Sequence, residues 1–132
     1  MNISFSATKE QFRLRKKHVT RRLGWLNLRP GKVIKGCEKC QGLKRGERVI
    51  EMGTIRVLAV NREPVFDIVT RPVRPDIPHN ILQNYSSVPV QEVELEGFPE
   101  YVNDGHKFVD MFCEMNNCDK NTVITRILFD YV

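Results

Sequence analysis

Residues 52–60 have the sequence Met-Gly-Thr-Ile-Arg-Val-Leu-Ala-Val and form the most strand-like stretch of the chain. β-Branched and aliphatic side chains dominate this stretch, and such side chains favour a strand that is buried within a sheet. We therefore expect a central strand at 52–60, with shorter strands paired on either side of it. A small protein built around one sheet is the fold that this stretch indicates.

The segments around this strand predict the rest of the sheet and two helices. Thr8 and Gln11 have the spacing of a capping box, so a short helix is expected from there to about Lys16. Asp104 is placed to cap a second helix, one face of which is apolar and is expected to pack into the core. That face comprises Phe108, Met111, Phe112 and Met115. The remaining strands are predicted at 2–5, 32–35, 65–70 and 122–131.

Proline positions mark the longest predicted loop. Residues 71–89 contain Pro72, Pro75, Pro78 and Pro89, which exclude a regular helix or a central strand over most of that range. We expect a surface loop there, placed to close or to block a neighbouring cleft. Residues 1–132 contain no internal repeat and are predicted to form a single α+β domain. Five or six strands and two helices indicate a small barrel or a strongly curved sheet.

Charge is distributed unevenly along the chain. The 132 residues carry 21 Lys and Arg and 16 Asp and Glu, which gives a formal net charge of +5. Residues 1–48 hold 14 of the basic residues but only three acids. If this basic third folds onto one face, that face attracts phosphate, most simply that of a nucleic acid or a nucleotide. The alternative is a solvated surface that the acidic remainder balances in three dimensions.

Several classes of protein are excluded by features that the sequence lacks. No apolar run approaches the ~18 residues of a membrane span, and the first residues lack the basic and apolar regions of a secretory signal. A cytoplasmic protein without a membrane partner is therefore expected. The glycine spacings of dinucleotide-binding folds, P-loops and serine-hydrolase elbows are absent, and no cofactor is predicted.

Four cysteines occur as two close pairs, Cys37-x-x-Cys40 and Cys113-x4-Cys118. Without a secretory signal, reduced thiols are expected rather than disulfides. A four-cysteine zinc site is the alternative, but the long gap between the pairs and the apolar surroundings of Cys113 favour thiols that bind no metal. The three histidines have no metal-ligand spacing and are expected at the surface or in turns: His18, His79 and His106.

The segment Lys17-His18-Val19-Thr20-Arg21-Arg22 carries the densest set of chemically useful side chains. In an extended conformation His18, Thr20 and Arg22 lie on one side, and the long side chain of Lys17 reaches over that side. Neighbouring cations lower the affinity of Lys17 for its proton, so that it can accept a proton from the Thr20 hydroxyl. Two interpretations stay open: a nucleophile-and-base pair, or a phosphate-binding edge at which no proton moves.

The spacing Lys17-x-x-Thr20-x-Arg22, followed by Glu96-Gly97-Phe98, resembles that of the ASCH domain family, a small β-barrel branch of the PUA-like superfamily. The order of predicted elements agrees over nearly the whole chain, and small bacterial and phage ASCH proteins are the most similar group. The resemblance implies a PUA-like β-barrel with two flanking helices. Two positions depart from the common pattern: Thr20 stands where glutamate is usual, and Arg15 stands where glycine is usual.

The resemblance first implies a domain that binds RNA or a modified nucleotide in a basic cleft. Besides Lys17, the residues expected to contact such a ligand are Arg21, Arg22, Lys44 and Arg45. Trp25 is expected either to stack on a base or to pack in the core. A small phage or bacterial factor that binds another protein is a further interpretation.

The resemblance also implies an amidohydrolase that acts on N4-acetylcytidine or a similar acylated pyrimidine nucleoside. In that case Lys17 is the base, Thr20 is the nucleophile, and Glu96 carries a proton to the leaving amine. Glu94 is the alternative acid, because it lies only two residues from Glu96.

Overall fold

The computed structural model describes all residues from Met1 to Val132. Its five strands are β1 (Asn2–Ser4), β2 (Val19–Arg22), β3 (Val33–Cys37), β4 (Glu51–Pro64) and β5 (Val123–Tyr131). They form one sheet in the order β1-β3-β4-β5-β2. β1 is parallel to β3, and the other neighbouring strands are antiparallel. The central strand expected at 52–60 is confirmed, as the middle of β4.

Five α-helices surround the sheet: α1 (Lys9–Arg13), α2 (Asp67–Thr70), α3 (His79–Leu82), α4 (Glu92–Leu95) and α5 (Gly105–Asn116). Short 3₁₀ turns lie before α1 and α5, at Ser6–Thr8 and Pro99–Tyr101. The two predicted helices are present as α1 and α5, although α1 ends before Lys16. Three one-turn helices lie in segments where no helix is predicted. None of these helices is long and apolar enough to cross a bilayer.

The strand predicted at 65–70 is wrong, because this segment leaves the sheet and forms α2. The last ladder pair of β4 is Pro64 with Val123. Val65 and Ile68 are fully buried in the apolar cluster of α5. Residues three positions apart share one face of a helical turn, so burial on that single face favours a helix over a strand.

The sheet is open, so the predicted barrel does not close through strand pairing, although the α+β class is confirmed. β1 and β2 lie at opposite ends of the strand order and share no ladder. They are three and four residues long, and such short strands offer few partners for a closing ladder. Arg22 bridges the gap with its side chain instead, since its Nη2 donates to the carbonyl of Ser4. A bulge between Val57 and Ala59 bends β4 and curves the sheet.

The proline-rich segment 71–89 packs against the sheet instead of lying over a cleft. Ile77 and Ile81 are buried in an apolar cluster with side chains of β2 and β5. Arg74 is also buried, and it donates to the Glu63 carboxylate at 3.0 and 2.6 Å. The prolines limit regular structure to the single turn of α3, but the segment neither closes nor blocks the cleft described below.

The four cysteines occupy two separate places. The chain turns after β3, and Cys37 and Cys40 are joined by a disulfide with a Cα–Cα distance of 6.3 Å. The reduced thiols expected for this pair are therefore a wrong prediction. Cys113 and Cys118 are free and pack against the apolar cluster of α5. No group of three or more metal-ligating side chains is present, so the pairs do not converge as a four-cysteine zinc site requires.

Gly36 marks the closest approach of α1 to the sheet. A Cβ on Gly36 would lie 2.5 Å from Cζ of the buried Phe12 ring. We expect Gly36→Ala to lower the free energy of unfolding by about 1–3 kcal/mol, because the methyl group overpacks a filled core. Chemical denaturation followed by circular dichroism measures this change. Lys35→Ala is the control, because this side chain on the same strand is exposed, and equal losses in both variants would contradict the prediction.

Candidate functional site

A cleft of about 140 Å³ opens between the 3₁₀ turn Ser6–Thr8 and α5, with β2 at its floor. Its polar lining contains five residues that sequence reasoning selects: Lys17, Thr20, Arg21, Arg22 and Glu96. The two parts of the sequence pattern are thus brought together, although Lys17 and Glu96 are 79 residues apart in the chain.

The Glu96-Gly97-Phe98 motif ends α4 and holds the carboxylate of Glu96 over β2. The amides of Gly97 and Phe98 donate back to carbonyls of α4 at 3.0 and 2.9 Å, which is the Schellman pattern of a helix C-terminus. Gly97 has a φ of +95°, in the left-handed region that glycine adopts without strain. The glycine therefore fixes the direction in which Glu96 leaves the helix.

The Lys17 side chain lies at the bottom of the cleft, where it contacts Glu96 twice. Its Nζ is 3.2 Å from Oε1 of Glu96 and also donates to the backbone carbonyl of Glu96. The rings of Phe5 and Phe98 flank this ammonium group, with centroids 5.8 and 6.0 Å away. Only 2% of Lys17 is exposed, so water does little to stabilise its charge.

Burial lowers the pKa of Lys17 from 10.5 to about 8. The charge of Glu96 opposes this shift, whereas the charges of Arg22 and Arg21 add to it. A fraction of the Lys17 amine is therefore neutral near pH 7, and a proton acceptor needs this property. The local cations contribute to this shift, as the sequence predicts, but burial is the larger cause.

Arg21 lies at the floor of the cleft, where three carboxylates surround its guanidinium. Nη1 is 2.9 Å from Oε2 of Glu96, and Nη2 is 2.9 Å from Oε1 of Glu92 and 3.5 Å from Oε2 of Glu63. Burial lowers the pKa of Arg21, but these carboxylates outweigh it and raise the pKa. Arg21 is predicted to contact a ligand, yet its charge is already neutralised. Its place in the site is to hold Glu96.

The ion pairs of Arg21 extend into a buried network. Glu92 also accepts from Nε and Nη2 of Arg126, and Nη1 of Arg126 is 2.9 Å from Oδ2 of Asp76. Arg126 and Glu92 are each only 1% exposed. Because ions so buried are costly unless paired and hydrogen-bonded, the network ties the floor of the cleft to the core of the protein.

Arg22 differs from Arg21, because its guanidinium forms no ion pair with a carboxylate. Nε donates to Oγ1 of Thr20 at 2.9 Å, Nη2 donates to the carbonyl of Ser4, and Nη1 donates to no protein atom. Burial lowers the pKa of Arg22 to about 10, so the group stays charged at neutral pH. Since the Thr20 oxygen accepts from Arg22, its hydroxyl proton remains free to be donated to a ligand.

The walls of the cleft are apolar, and sequence reasoning identified them only as core. Phe108 and Phe112 of α5 are buried, as the predicted core face requires. Met111 is only half-buried and Met115 is 64% exposed, and both line the cleft. The helical period shows that these side chains share a face, but it carries no information on which part of that face the fold leaves open.

Three residues predicted to bind a ligand lie outside the cleft. Lys44 and Arg45 are exposed in the loop between β3 and β4, and this loop contributes no residue to the cleft. Trp25 is half-buried against the apolar cluster of the sheet. The basic third of the chain therefore does not form a single binding face around Lys17.

Two sequence neighbours of the site residues point away from the cleft. Glu94 accepts from the backbone amide of Gln91 at 3.0 Å, in the capping box of α4, so the geometry favours Glu96 over Glu94 as the acid beside Lys17. The surface position expected for His18 is wrong, because its ring is fully buried, with Nδ1 3.0 Å from the carbonyl of Phe129. The aromatic side chains around His18, those of Tyr85, Phe129 and Tyr131, come from distant parts of the chain.

We expect a ¹³C NMR titration of Lys17 to give a midpoint near pH 8. Glu96→Gln should lower this midpoint by about 1 or more, because a nearby carboxylate charge raises the pKa of an ammonium group. Glu94→Gln is the matched control, since that carboxylate serves the helix cap. A wild-type midpoint near 10.5, or equal effects of the two substitutions, would contradict the arrangement at the site.

The fold and the cleft together define a class of protein: a small α+β chain whose open, curved sheet carries an apolar-walled cleft with a charged floor. No family model and no curated protein matches the sequence. The structure is similar to a solved one described as "High resolution crystal structure of ASCH domain from Lactobacillus crispatus JV V101", with a TM-score of 0.49 and 11% sequence identity. The match covers 98% of this chain and 77% of that chain. The family in that description is the one that the Lys-x-x-Thr-x-Arg spacing resembles.

Proposed function

We propose that this protein binds a modified nucleoside or nucleotide, alone or within RNA, in the cleft above β2. The observation that carries this proposal is the guanidinium of Arg22, which is charged, half-buried and without a carboxylate partner at the cleft. A planar guanidinium suits acceptors on a base edge or a phosphate. The neighbouring Thr20 hydroxyl and Glu96 carboxylate add a donor and an acceptor.

The walls of the cleft support a flat ligand with a polar edge. Phe5 and Phe98 line it near the floor, and Met111 and Met115 line it from α5. Aromatic and apolar side chains bind the faces of nucleic acid bases, while polar groups contact their edges. A nucleobase combines these two surfaces, which is why we prefer it to an aliphatic or a purely ionic ligand.

An NMR titration of the ¹⁵N-labelled protein tests this proposal with cytidine, N4-acetylcytidine, cytidine monophosphate and adenosine monophosphate. We expect at least one of them to shift the amide signals of Thr20, Arg22 and Gly97, while signals from the loop with Lys44 stay unchanged. The proposal is refuted if only amide signals of residues outside the cleft shift. It is also refuted if none of the four compounds shifts any signal at millimolar concentration.

Hydrolysis of an N4-acyl group is a second candidate, and the lowered pKa of Lys17 favours it. In this reaction the Thr20 hydroxyl attacks the acetyl carbonyl while its proton passes to the neutral amine of Lys17. The proton then moves through Glu96 to the leaving amine nitrogen, which releases cytidine and leaves an acetyl group on Thr20. Water hydrolyses that ester, and acetate leaves.

A turnover assay distinguishes this candidate from binding alone. Wild-type protein incubated with N4-acetylcytidine should release cytidine, detected by chromatography, whereas Lys17→Ala and Thr20→Ala should release none. Thr20→Ser is the matched variant, because it keeps the attacking hydroxyl and should retain turnover. Thr20→Ala that is as active as the wild type would eliminate this mechanism, and binding would remain the proposal.

A further inference from the structure

Two concavities continue the cleft along the outside of the sheet. The first has a volume of about 340 Å³ and shares Ser4, Ser6 and Arg22 with the cleft. The second has a volume of about 610 Å³ and shares Trp25 with the first. Because each shares lining residues with the next, the three lie in a row from the cleft past Trp25 to residues 29–32, and we refer to this row as the channel.

The charged residues of this channel outside the cleft all have the same sign. Lys39 lines the first concavity, Arg29 and Lys32 line the second, and no acidic residue lines either of them. All three side chains are exposed, and none of them forms an ion pair. Arg13, in the same third of the chain, is paired with Glu38. A row of unpaired cations favours a ligand with repeated negative charges over a neutral one.

Trp25 lies where the two concavities meet and lines both of them. Its side chain is half-buried and packs against the apolar cluster of the sheet, so the ring is held in place before any ligand arrives. A fixed aromatic ring between basic side chains is typical of single-strand binding, in which a base stacks on the ring and the flanking phosphates contact the cations.

We propose that the unit bound in the cleft is one residue of a single-stranded nucleic acid whose next nucleotides lie along this channel. A neighbouring base stacks on Trp25, and backbone phosphates contact Lys39, Arg29 and Lys32. This inference rests on the proposed function, because it takes the cleft as the site of one nucleotide. It extends that function by making the ligand a strand, whose affinity depends on residues outside the cleft.

Intrinsic fluorescence tests the channel directly, because Trp25 is the single tryptophan of the chain. We expect nine-residue oligocytidine, as RNA or as DNA, to quench this fluorescence, whereas cytidine monophosphate leaves it unchanged. Quenching by the RNA alone would make the ligand an RNA strand, and quenching by both would make it a single strand of either sugar. Binding of both oligonucleotides without quenching, or no binding of either, would overturn the proposal.

Two double variants distinguish binding in the channel from a general effect of the protein's net charge. Arg29→Gln with Lys32→Gln should weaken oligonucleotide binding at least tenfold, and should reduce the slope of log affinity against log salt by about 1.4, for two lost phosphate contacts. Lys44→Gln with Arg45→Gln removes the same charge from a loop outside the channel and should keep wild-type binding. Equal losses of affinity in the two double variants would overturn the proposal that the strand binds along the channel.

The proposal for the channel and the proposal for the cleft can be refuted independently. If a mononucleotide shifts the NMR signals of Thr20 and Arg22 but no oligonucleotide quenches Trp25, the proposed function stands and the channel is rejected. If an oligonucleotide quenches Trp25 with the same affinity in Arg22→Met, the strand does not enter the cleft. That result would overturn this inference, because it places one nucleotide in the cleft.

Discussion

Replacing Glu92 with glutamine is expected to lower the free energy of unfolding by about 3–5 kcal/mol. The Glu92 carboxylate is buried between two arginines, 2.9 Å from Nη2 of Arg21 and in contact with Nε of Arg126. A neutral amide leaves both guanidinium groups buried with one counter-charge fewer, and an uncompensated buried charge is among the costliest defects in a protein. Glutamine preserves the shape of the side chain, so the loss reports on charge and not on a cavity.

Chemical denaturation at pH 7 measures this loss, and Glu51→Gln is the matched control. Glu51 pairs with Lys35 at 3.5 Å on the exposed end of the sheet, so its substitution should change the free energy of unfolding by less than about 1 kcal/mol. Similar losses in the two variants would contradict the role given to the buried network.

Wild-type protein and Glu92→Gln should also differ in how much stability they lose in acid. Burial raises the pKa of Glu92, but its arginine partners outweigh burial and hold the pKa below its ordinary value of 4.5. Its contribution to stability is therefore present above about pH 4.5 and is lost as the pH falls towards the lower pKa of the folded state. Wild-type protein should lose stability on acidification more steeply than Glu92→Gln does.

Replacing Arg22 with methionine is expected to weaken nucleotide binding by roughly ten- to a hundredfold. Hydrogen bonds to a charged group contribute about 1.5–3 kcal/mol, which corresponds to that range of affinity. Methionine keeps a long apolar side chain but removes the guanidinium, whose carbon is 5.2 Å from the centroid of the Phe5 ring. Titration calorimetry with the nucleotide that gives the largest NMR shifts measures the change.

Arg22 also joins β1 to β2, so its replacement needs controls for structure. Arg62→Met is the matched control, because Nη1 of Arg62 donates to Oγ1 of Thr125 at 2.7 Å on the same sheet but outside the cleft. It should leave affinity unchanged. Arg22→Lys keeps the positive charge but lacks the planar guanidinium, so it should recover part of the affinity that Arg22→Met loses. Equal weakening by Arg22→Met and Arg62→Met would mean that the sheet, and not the cleft, was affected.

The parts of the fold that could be predicted are those that depend on local pattern. The β-branched run at 52–60 and the apolar face of α5 each occur within a short stretch, and the structure contains both elements. The segment 65–70 has the composition of a strand, yet β5 begins at Val123, opposite Pro64, so no strand residue is left for the segment to pair with, and it packs against α5 instead. Local composition carries no information on where the partner strand begins.

The site was predicted only in part, for a related reason. The spacing of Lys17, Thr20 and Arg22 lies within one strand, whereas the contact of Lys17 with Glu96 spans 79 residues, and only the family resemblance indicated it. Nothing local distinguishes Arg21, which is neutralised by acids from distant segments, from Arg22, which is not. His18 was expected at the surface or in a turn because the histidines have no metal-ligand spacing, but aromatic rings from distant segments, Tyr85 and two residues of β5, surround it.

The gap between β1 and β2 makes the edge of the sheet sensitive to what occupies the cleft. A ligand that accepts from Nη1 of Arg22, which donates to no protein atom, leaves the bond from Nη2 to the Ser4 carbonyl in place and restrains the side chain that bridges the two strands. Occupancy and the order of the first strand are then linked reciprocally: we expect a bound ligand to slow amide exchange in Asn2–Ser4, and a partner that holds those residues in place to raise affinity for the ligand.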